Sequence, residues 1–144
     1  MFRKIIKLLL PPIISYLYLK FFSTIKKSLF DGDDSLFKKS IEGIKIYGEY
    51  GCGLSSKWML RNTNCKVISV DSSKEWVEKI KTENKKYNSR LIINHIDLGK
   101  VRRWGFPINY CKCFNFPDYT DYIWKQSERP TLVLIDGRFR VCCF

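Results

Sequence analysis

The stretch that decides the fold is residues 44–56, which read I-K-I-Y-G-E-Y-G-C-G-L-S-S. An apolar run reaches Glu49, and two glycines in a G-x-G spacing, Gly51 and Gly53, precede a predicted helix start. Eighteen residues after Gly53, a second apolar run ends in Asp71. In βαβ cofactor sites, an acid at that distance binds the ribose. Together these features predict a Rossmann-like domain with a nucleotide-type cofactor.

The rest of the chain continues an alternation of strands and helices. Apolar runs predict strands at residues 44–49, 66–71, 91–96 and 131–135, and the intervening patterns predict helices at 35–41, 55–62, 73–87 and near 119–125. In the third of these helices, Ser73 is the predicted N-cap, and Trp76, Val77 and Ile80 are predicted to share one buried face. This alternation predicts an α/β fold of three αβα layers around a mostly parallel sheet.

Four acids, Glu49, Asp71, Asp97 and Asp136, lie at or just past the ends of the predicted strands. Parallel strands bring their carboxyl ends to one edge of a sheet, where ligands bind in such folds. Glycines beside that edge leave room for a ligand to approach the backbone. The alternative is that an individual acid only caps the helix that follows it, and this alternative is strongest for Asp136.

The glycine pattern is incomplete, because Ser56 occupies the sixth position of the G-x-G-x-x-G pattern. That pattern uses its third glycine for close packing of helix and strand beside a pyrophosphate. The substitution counts against a dinucleotide and favours a cofactor without a pyrophosphate. A nicotinamide-dependent oxidoreductase remains the alternative, and a comparison of cofactor binding separates the two.

The composition indicates one globular domain, and the net charge indicates anionic partners. The 144 residues are 45% hydrophobic and 15% aromatic, which is enough to bury the core of one domain. The net charge of +12 suits anionic membrane surfaces, nucleic acids or phosphorylated substrates. Nucleic acid ranks last because the basic residues form no recognisable aromatic-basic RNA motif.

The cysteines and the single histidine do not predict a metal site. Six cysteines occur as isolated residues, a C-x-C and a C-C, without the C-x₂-C pairs typical of zinc sites. We interpret them as reduced, mostly buried side chains of a cytoplasmic protein. The only histidine, His95, is predicted to be a hydrogen-bonded core residue.

Residues 1–30 form a separate basic and hydrophobic segment, and residues 31–144 form the predicted domain. The twelve uncharged residues between Lys7 and Lys20 include Pro11 and Pro12, and they fall short of the roughly 20 that span a bilayer. The segment does not fit a signal peptide, because the small-residue cleavage site is missing: the chain contains no alanine. The segment either lies on the inner membrane surface or packs on the domain as a helix. In a non-catalytic membrane-associated protein, this segment would carry the function.

Four motifs resemble those of a known family. E-Y-G-C-G-L-S-S at 49–56 and V-D-S-S-K-E-W at 70–76 resemble the first two motifs of class I S-adenosylmethionine-dependent methyltransferases. W-G-F-P at 104–107 and L-I-D-G-R-F-R-V at 134–141 are similar to a group of methyltransferase-like proteins often linked to cell-surface glycan synthesis. The resemblance covers about residues 30–144, and D-G-R-F-R is its most specific part.

The resemblance implies S-adenosylmethionine as the cofactor and assigns residues to it. Glu49, Gly51 and Gly53 would line its methionine and ribose end. Asp71 would hold the ribose hydroxyls, and Asp97 would lie near the adenine. These assignments are expectations from the family's motifs.

The resemblance also implies an acceptor side. Asp136 would face the transferred methyl group and act as the base or orient the acceptor, which would be a small molecule, a glycan or a glycan precursor. Arg138 and Arg140 would bind a phosphate or carboxylate of that substrate. The alternative for the two arginines is a solvated turn with surface ion pairs.

Methyltransferases of this class use a seven-stranded sheet, whereas this chain supplies four predicted strands and ends eight residues after Asp136. In the order 3-2-1-4 that the resemblance implies, T-L-V-L-I at 131–135 becomes an apolar edge strand, which proteins normally cover. We therefore interpret the chain as C-terminally truncated. An incomplete substrate side would leave it inactive even where the cofactor half folds.

Overall fold

The structure is a computed structural model that describes residues 29–30, 33–102, 106–137 and 139–143. The chain divides into two compact units, Met1–Asp34 and Ser35–Phe144, and the α/β domain lies in the second. The predictions of a membrane-surface or packed helix at the N-terminus fall mainly on residues 1–28, outside the described part. In the described ranges, no helix combines the length and the hydropathy needed to cross a bilayer.

The domain alternates helices and strands along the chain. Its elements are α1 (Ser35–Ser40), β1 (Ile46–Tyr50), α2 (Leu54–Asn62), β2 (Lys66–Asp71), α3 (Lys74–Glu83), β3 (Leu91–His95), α4 (Phe116–Asp121) and β4 (Leu132–Ile135), with 3₁₀ turns at Lys85–Tyr87, Cys113–Asn115 and Arg140–Cys142. Each predicted strand is present, and β2 has the predicted bounds. The last predicted helix begins three residues earlier, at Phe116, where Pro117 occupies the first helical turn.

The four strands form one parallel sheet in the order β3-β2-β1-β4. This order confirms the predicted Rossmann-like α/β fold. In register, Glu49 on β1 lies beside Ser69 on β2 and Leu134 on β4. Within the described sheet β4 pairs with β1 alone, so β4 forms an edge with half-buried residues, as the pattern T-L-V-L-I predicted.

Helices cover both faces of the sheet and give it three layers. On one face, Met59 and Leu60 of α2 pack on Tyr47 and Val67. Farther along that face, Val77 and Ile80 of α3 pack on Ile93. The opposite face buries its own cluster, Tyr50, Ile68, Val70, Leu98, Tyr119, Ile123 and Cys143. Strand residues point alternately to the two faces, so both clusters follow from the period-two pattern of apolar residues.

Helix α3 confirms the predicted cap but corrects the predicted buried face. The Ser73 hydroxyl accepts a hydrogen bond from the Trp76 N–H at 3.3 Å. Val77 and Ile80 are fully buried, whereas Trp76 is 46% exposed and lies under the Lys79 ammonium, 4.6 Å from its ring centroid. The helix therefore buries a narrower stripe than its apolar residues indicated.

The cysteine prediction is confirmed in part. All six cysteines are free thiols, but only Cys52, Cys65 and Cys143 are buried. The other three, Cys111, Cys113 and Cys142, are exposed. In the described part of the chain, no group of three His, Cys, Asp or Glu side chains is placed to hold a metal ion.

Candidate functional site

Asp71 joins the two loops that follow β1 and β2. Its Oδ2 accepts the Cys52 N–H at 2.8 Å, and its Oδ1 accepts the Ser73 N–H at 2.7 Å. One carboxylate therefore fixes the glycine loop after β1 against the start of α3. Because each carboxylate oxygen has two lone pairs, both oxygens keep capacity for further donors, and the residue is only partly buried.

Gly51 lies where the ends of β1 and β4 meet. Its φ of +91° is a conformation that residues with a Cβ rarely adopt. A Cβ on Gly51 would stand 3.1 Å from the Cα and the nitrogen of Gly137. At Gly137, a Cβ would come within 3.0 Å of the Tyr50 backbone. The two glycines therefore permit a close contact between the β1 loop and the turn after β4, which sequence analysis did not predict for Gly137.

Gly53 differs from these two glycines because the fold itself does not demand a glycine there. Its φ of −177° is extended, and among the described residues an added Cβ would meet no atom within 4 Å. It stands at the N-cap of α2, directly beside the Asp71-bound amide of Cys52. The missing side chain leaves open space at the carboxyl edge of the sheet.

Glu49 is fully buried beneath the first turn of α2. One carboxyl oxygen accepts the Ser55 hydroxyl and the other accepts the Ser56 hydroxyl. The Ser56 Oγ also accepts the Gly53 N–H at 3.0 Å. Ser56 thus links the glycine loop to Glu49, which is the structural role of the residue that replaces the third glycine.

Burial controls the titration of this cluster. It raises the pKa of Glu49 to about 7, against the opposing effect of the two serine hydroxyls. Burial likewise raises the pKa of the Cys52 thiol above its usual range, with the Asp71 carboxylate adding to the effect. Cys52 therefore stays protonated at neutral pH and is unsuited to act as a nucleophile.

Asp136 and Arg140 form an ion pair past the end of β4. The Arg140 Nη2 lies 3.0 Å from the Asp136 Oδ1, and both side chains are largely exposed. The Asp136 N–H donates to the Tyr50 carbonyl at 3.0 Å, which brings Asp136 to the same edge as the glycine loop. Arg138 lies outside the described residues, so its predicted contact with substrate stays a prediction.

Asp97 follows β3 in an exposed turn. Its Oδ1 accepts the Gly99 N–H at 2.8 Å, and its Oδ2 lies 3.2 Å from the Lys112 ammonium. The Gly99 N–H and then Lys112 lower the pKa of Asp97. Its predicted position near an adenine is not tested by these contacts. The single histidine, His95, lies with Nε2 3.2 Å from the Ser72 carbonyl oxygen at the end of β3.

Sequence analysis missed the two serines that bind Glu49, although they stand in the quoted motif. Both serines belong to the predicted helix start. The available signal was a pair of hydroxyl residues six and seven positions after the acid that ends an apolar strand. Ser69, the register partner of Glu49, adds a buried hydroxyl with no hydrogen-bond partner in the described residues. The Glu49 side of the site is thus a buried polar cluster rather than an open ligand surface.

A cavity of about 480 Å³ lies at the opposite edge of the sheet. Residues before β1 and β2 line it, including Lys45, Trp58 and Cys65. This amino-terminal edge carries none of the predicted site residues. The predicted residues in the described part instead gather on or near the carboxyl edge.

Comparison with known proteins bears on this arrangement. No family model matches the chain, and no curated protein matches it. A solved structure does match: a methyltransferase-like protein from Silicibacter pomeroyi DSS-3, with a TM-score of 0.65 and 29% sequence identity. The chain has a methyltransferase-like fold. The match covers 75% of this chain and 59% of the bacterial protein, so the chain spans less than two thirds of its solved relative.

Proposed function

We propose that this chain binds S-adenosylmethionine at the carboxyl edge of its sheet and serves methyl transfer. The observation that carries the proposal is the open space at Gly53 beside the Asp71 carboxylate, between β1 and β2. The similarity to a methyltransferase-like protein supports it. In Rossmann-like folds, cofactors bind at the carboxyl ends of the strands, beside the point where the strand order reverses, which here lies between β1 and β4.

The residues present fit a cofactor of this kind. An added Cβ at Gly53 would fill the space that a ligand needs, while the protein itself has no atom within 4 Å of that position among the described residues. Asp71 is partly exposed and keeps acceptor capacity for ribose hydroxyls. Gly51 and Glu49, which the resemblance places along the methionine and ribose end of the cofactor, would act from behind this surface. Gly51 allows the turn, and the buried Glu49 holds the first turn of α2 through Ser55 and Ser56.

The same loop is less suited to a dinucleotide. Pyrophosphates bind to free backbone N–H groups at a helix N-terminus. Here the Gly53 N–H is bonded to the Ser56 hydroxyl, and the Cys52 N–H is bonded to Asp71. Two amides of the glycine loop are therefore already engaged, which favours S-adenosylmethionine over NAD.

The acceptor side of the proposal rests on the turn after β4. S-adenosylmethionine, when bound, supplies an electrophilic methyl group. Asp136 would accept the proton of a hydroxyl acceptor or orient it, and Arg140 would hold the Asp136 carboxylate through their ion pair. Arg138, and Arg140 through its remaining N–H donors, are proposed to bind a phosphate or carboxylate of a glycan or glycan precursor, and Asp97 is proposed to border the adenine.

Calorimetric titration of the full chain with S-adenosylmethionine, run beside NADH, tests the proposal. We expect saturable binding of S-adenosylmethionine and none of NADH. Binding of NADH alone would support the oxidoreductase alternative. A folded chain that binds neither cofactor would refute the proposed site.

A further inference from the structure

One segment of the domain combines basic and aromatic residues without any acid. Between Asp97 and Asp118, the described residues 98–102 and 106–117 contain three basic side chains, Lys100, Arg102 and Lys112. The same residues contain four aromatic side chains, Phe106, Tyr110, Phe114 and Phe116. We call residues 98–102 and 106–117 the basic segment. The segment thus differs in charge from the ends of the strands before and after it, which are followed by the acids Asp97 and Asp136.

The basic segment is folded and tied to the end of β3. Val101 pairs with Pro107 in an antiparallel bridge, and the Ile108 N–H donates to the Lys100 carbonyl at 2.8 Å. Residues 103–105 lie outside the described part and are not included in the segment. Farther along, the Asn115 side-chain amide donates to the Asp97 carbonyl at 2.7 Å. The segment therefore presents its side chains from a structured loop.

Several large apolar side chains of the basic segment face solvent. Phe114 is 89% exposed, Tyr110 is 76% exposed and Ile108 is 48% exposed. Phe116, by contrast, is not exposed in this way, because its ring packs on Phe139 with the ring centroids 4.6 Å apart. One aromatic residue anchors the loop while others remain in water. Several large apolar side chains exposed on one loop make it a candidate surface for contact with another molecule.

We propose that the basic segment is a docking surface for an anionic lipid bilayer. Aromatic rings and Ile108 gain by entering the boundary between headgroups and acyl chains, while Lys100 and Arg102 attract anionic headgroups. The segment contains no acid, but Lys112 pairs with Asp97 just before it, so the attraction rests on Lys100 and Arg102. Single-stranded nucleic acid would use the aromatic rings for stacking, but it would gain little from the exposed aliphatic side chains of Ile108 and Val101. This inference stands apart from the methyl-transfer proposal, because no cofactor takes part in it.

Vesicle co-sedimentation of the full chain tests this surface, with phosphatidylcholine vesicles that either contain or lack phosphatidylserine. The variant Lys100→Glu/Arg102→Glu removes two basic charges, each worth about fivefold in affinity, so we expect at least ~25-fold weaker binding to the anionic vesicles. A matched control, Lys74→Glu/Lys85→Glu, makes the same change in net charge at exposed positions elsewhere. That control should bind more tightly than the first variant.

An apolar variant and its control complete the test. Ile108→Ser/Phe114→Ser should weaken vesicle binding, whereas Leu36→Ser, which changes an apolar side chain 76% exposed on α1, should leave it unchanged. Equal vesicle binding by the wild-type chain and both segment variants would overturn the proposal. Binding to a single-stranded oligonucleotide, without selectivity for anionic vesicles, would overturn it as well.

Two exposed thiols report on the segment directly. Cys111 and Cys113 lie in it as free cysteines, and their alkylation can be followed by mass spectrometry. We expect anionic vesicles to slow alkylation at both positions, and vesicles of phosphatidylcholine alone to leave it unchanged. Unprotected thiols on a vesicle-bound chain would show that another part of the chain makes the contact, and would refute the proposal.

Discussion

The backbones of Gly51 and Gly137 lie in direct contact: a Cβ on Gly51 would stand 3.1 Å from both the nitrogen and the Cα of Gly137. This contact joins the loop after β1 to the turn after β4. It therefore brings the G-x-G motif and the D-G-R-F-R motif, more than eighty residues apart in sequence, to one edge of the sheet. Both glycines serve this approach, whereas Gly53, the other glycine of the G-x-G motif, has no comparable packing role.

The contact predicts unequal costs for alanine at two glycines with positive φ. Gly51→Ala should lower the free energy of unfolding by about 2 kcal/mol or more, since strain at φ +91° adds to the clash with Gly137. Gly43→Ala, at φ +75° with no atom near the new Cβ among the described residues, should cost about 1 kcal/mol. Urea denaturation measures both. Equal losses would show that the Gly51–Gly137 contact adds nothing.

The acids at the strand ends should differ in their effect on stability. Asp71→Asn should lower the free energy of unfolding by about 2 kcal/mol, because the amide cannot accept from both the Cys52 and the Ser73 N–H. Asp136→Asn should change it by no more than about 0.5 kcal/mol, because its ion pair with Arg140 is exposed. Urea denaturation at neutral pH distinguishes the two, and an Asp136→Asn loss as large as that of Asp71→Asn would be the contrary result.

Glu49 should make stability depend on pH. Burial raises its folded pKa from 4.5 to about 7, so the folded state holds a proton that the unfolded state releases between these values. The contribution of Glu49 to stability is therefore complete below about pH 4.5 and is lost as the pH rises to about 7, by roughly 3 kcal/mol. Glu49→Gln removes this dependence. Relative to wild type, the melting temperature of the variant should rise between pH 5 and pH 8.

The control for this prediction is Glu83→Gln, which removes an exposed carboxylate on α3 that pairs with Lys57. Lys57 lowers the pKa of Glu83, so the melting temperature of this variant relative to wild type should not rise between pH 5 and pH 8. Parallel pH profiles for wild type and Glu49→Gln would contradict the assigned titration of Glu49.

Local sequence was sufficient for the strands but not for their contacts. The run of apolar residues that ends at Asp71 predicted β2 to the residue, because a strand buried on both faces reads as a continuous apolar run. The alternation of elements predicted the parallel sheet. The capping serine of α3 was equally visible, because a cap depends on neighbours three residues away.

The side-chain partners could not be predicted in this way. The bonds of Ser55 and Ser56 to Glu49 depend on how α2 lies on β1, and the contact of Gly51 with Gly137 depends on the crossover that pairs β4 with β1. Trp76 was assigned to a buried face because its periodicity fits one, but the sheet covers only the side of α3 that carries Val77 and Ile80. These contacts depend on how the helices and strands pack in three dimensions, so a local sequence pattern does not predict them.

The most direct test of the central claim compares S-adenosylmethionine affinity and melting temperature in variants of Gly53. If the cofactor lies against Gly53, Gly53→Leu should weaken binding at least ~100-fold and Gly53→Ala should weaken it less, with little change in melting temperature, because the new side chain meets open space. Gly43→Asn, a control at the other edge of the sheet, should leave binding unchanged. Wild-type affinity in a folded Gly53→Leu variant would contradict the proposed site.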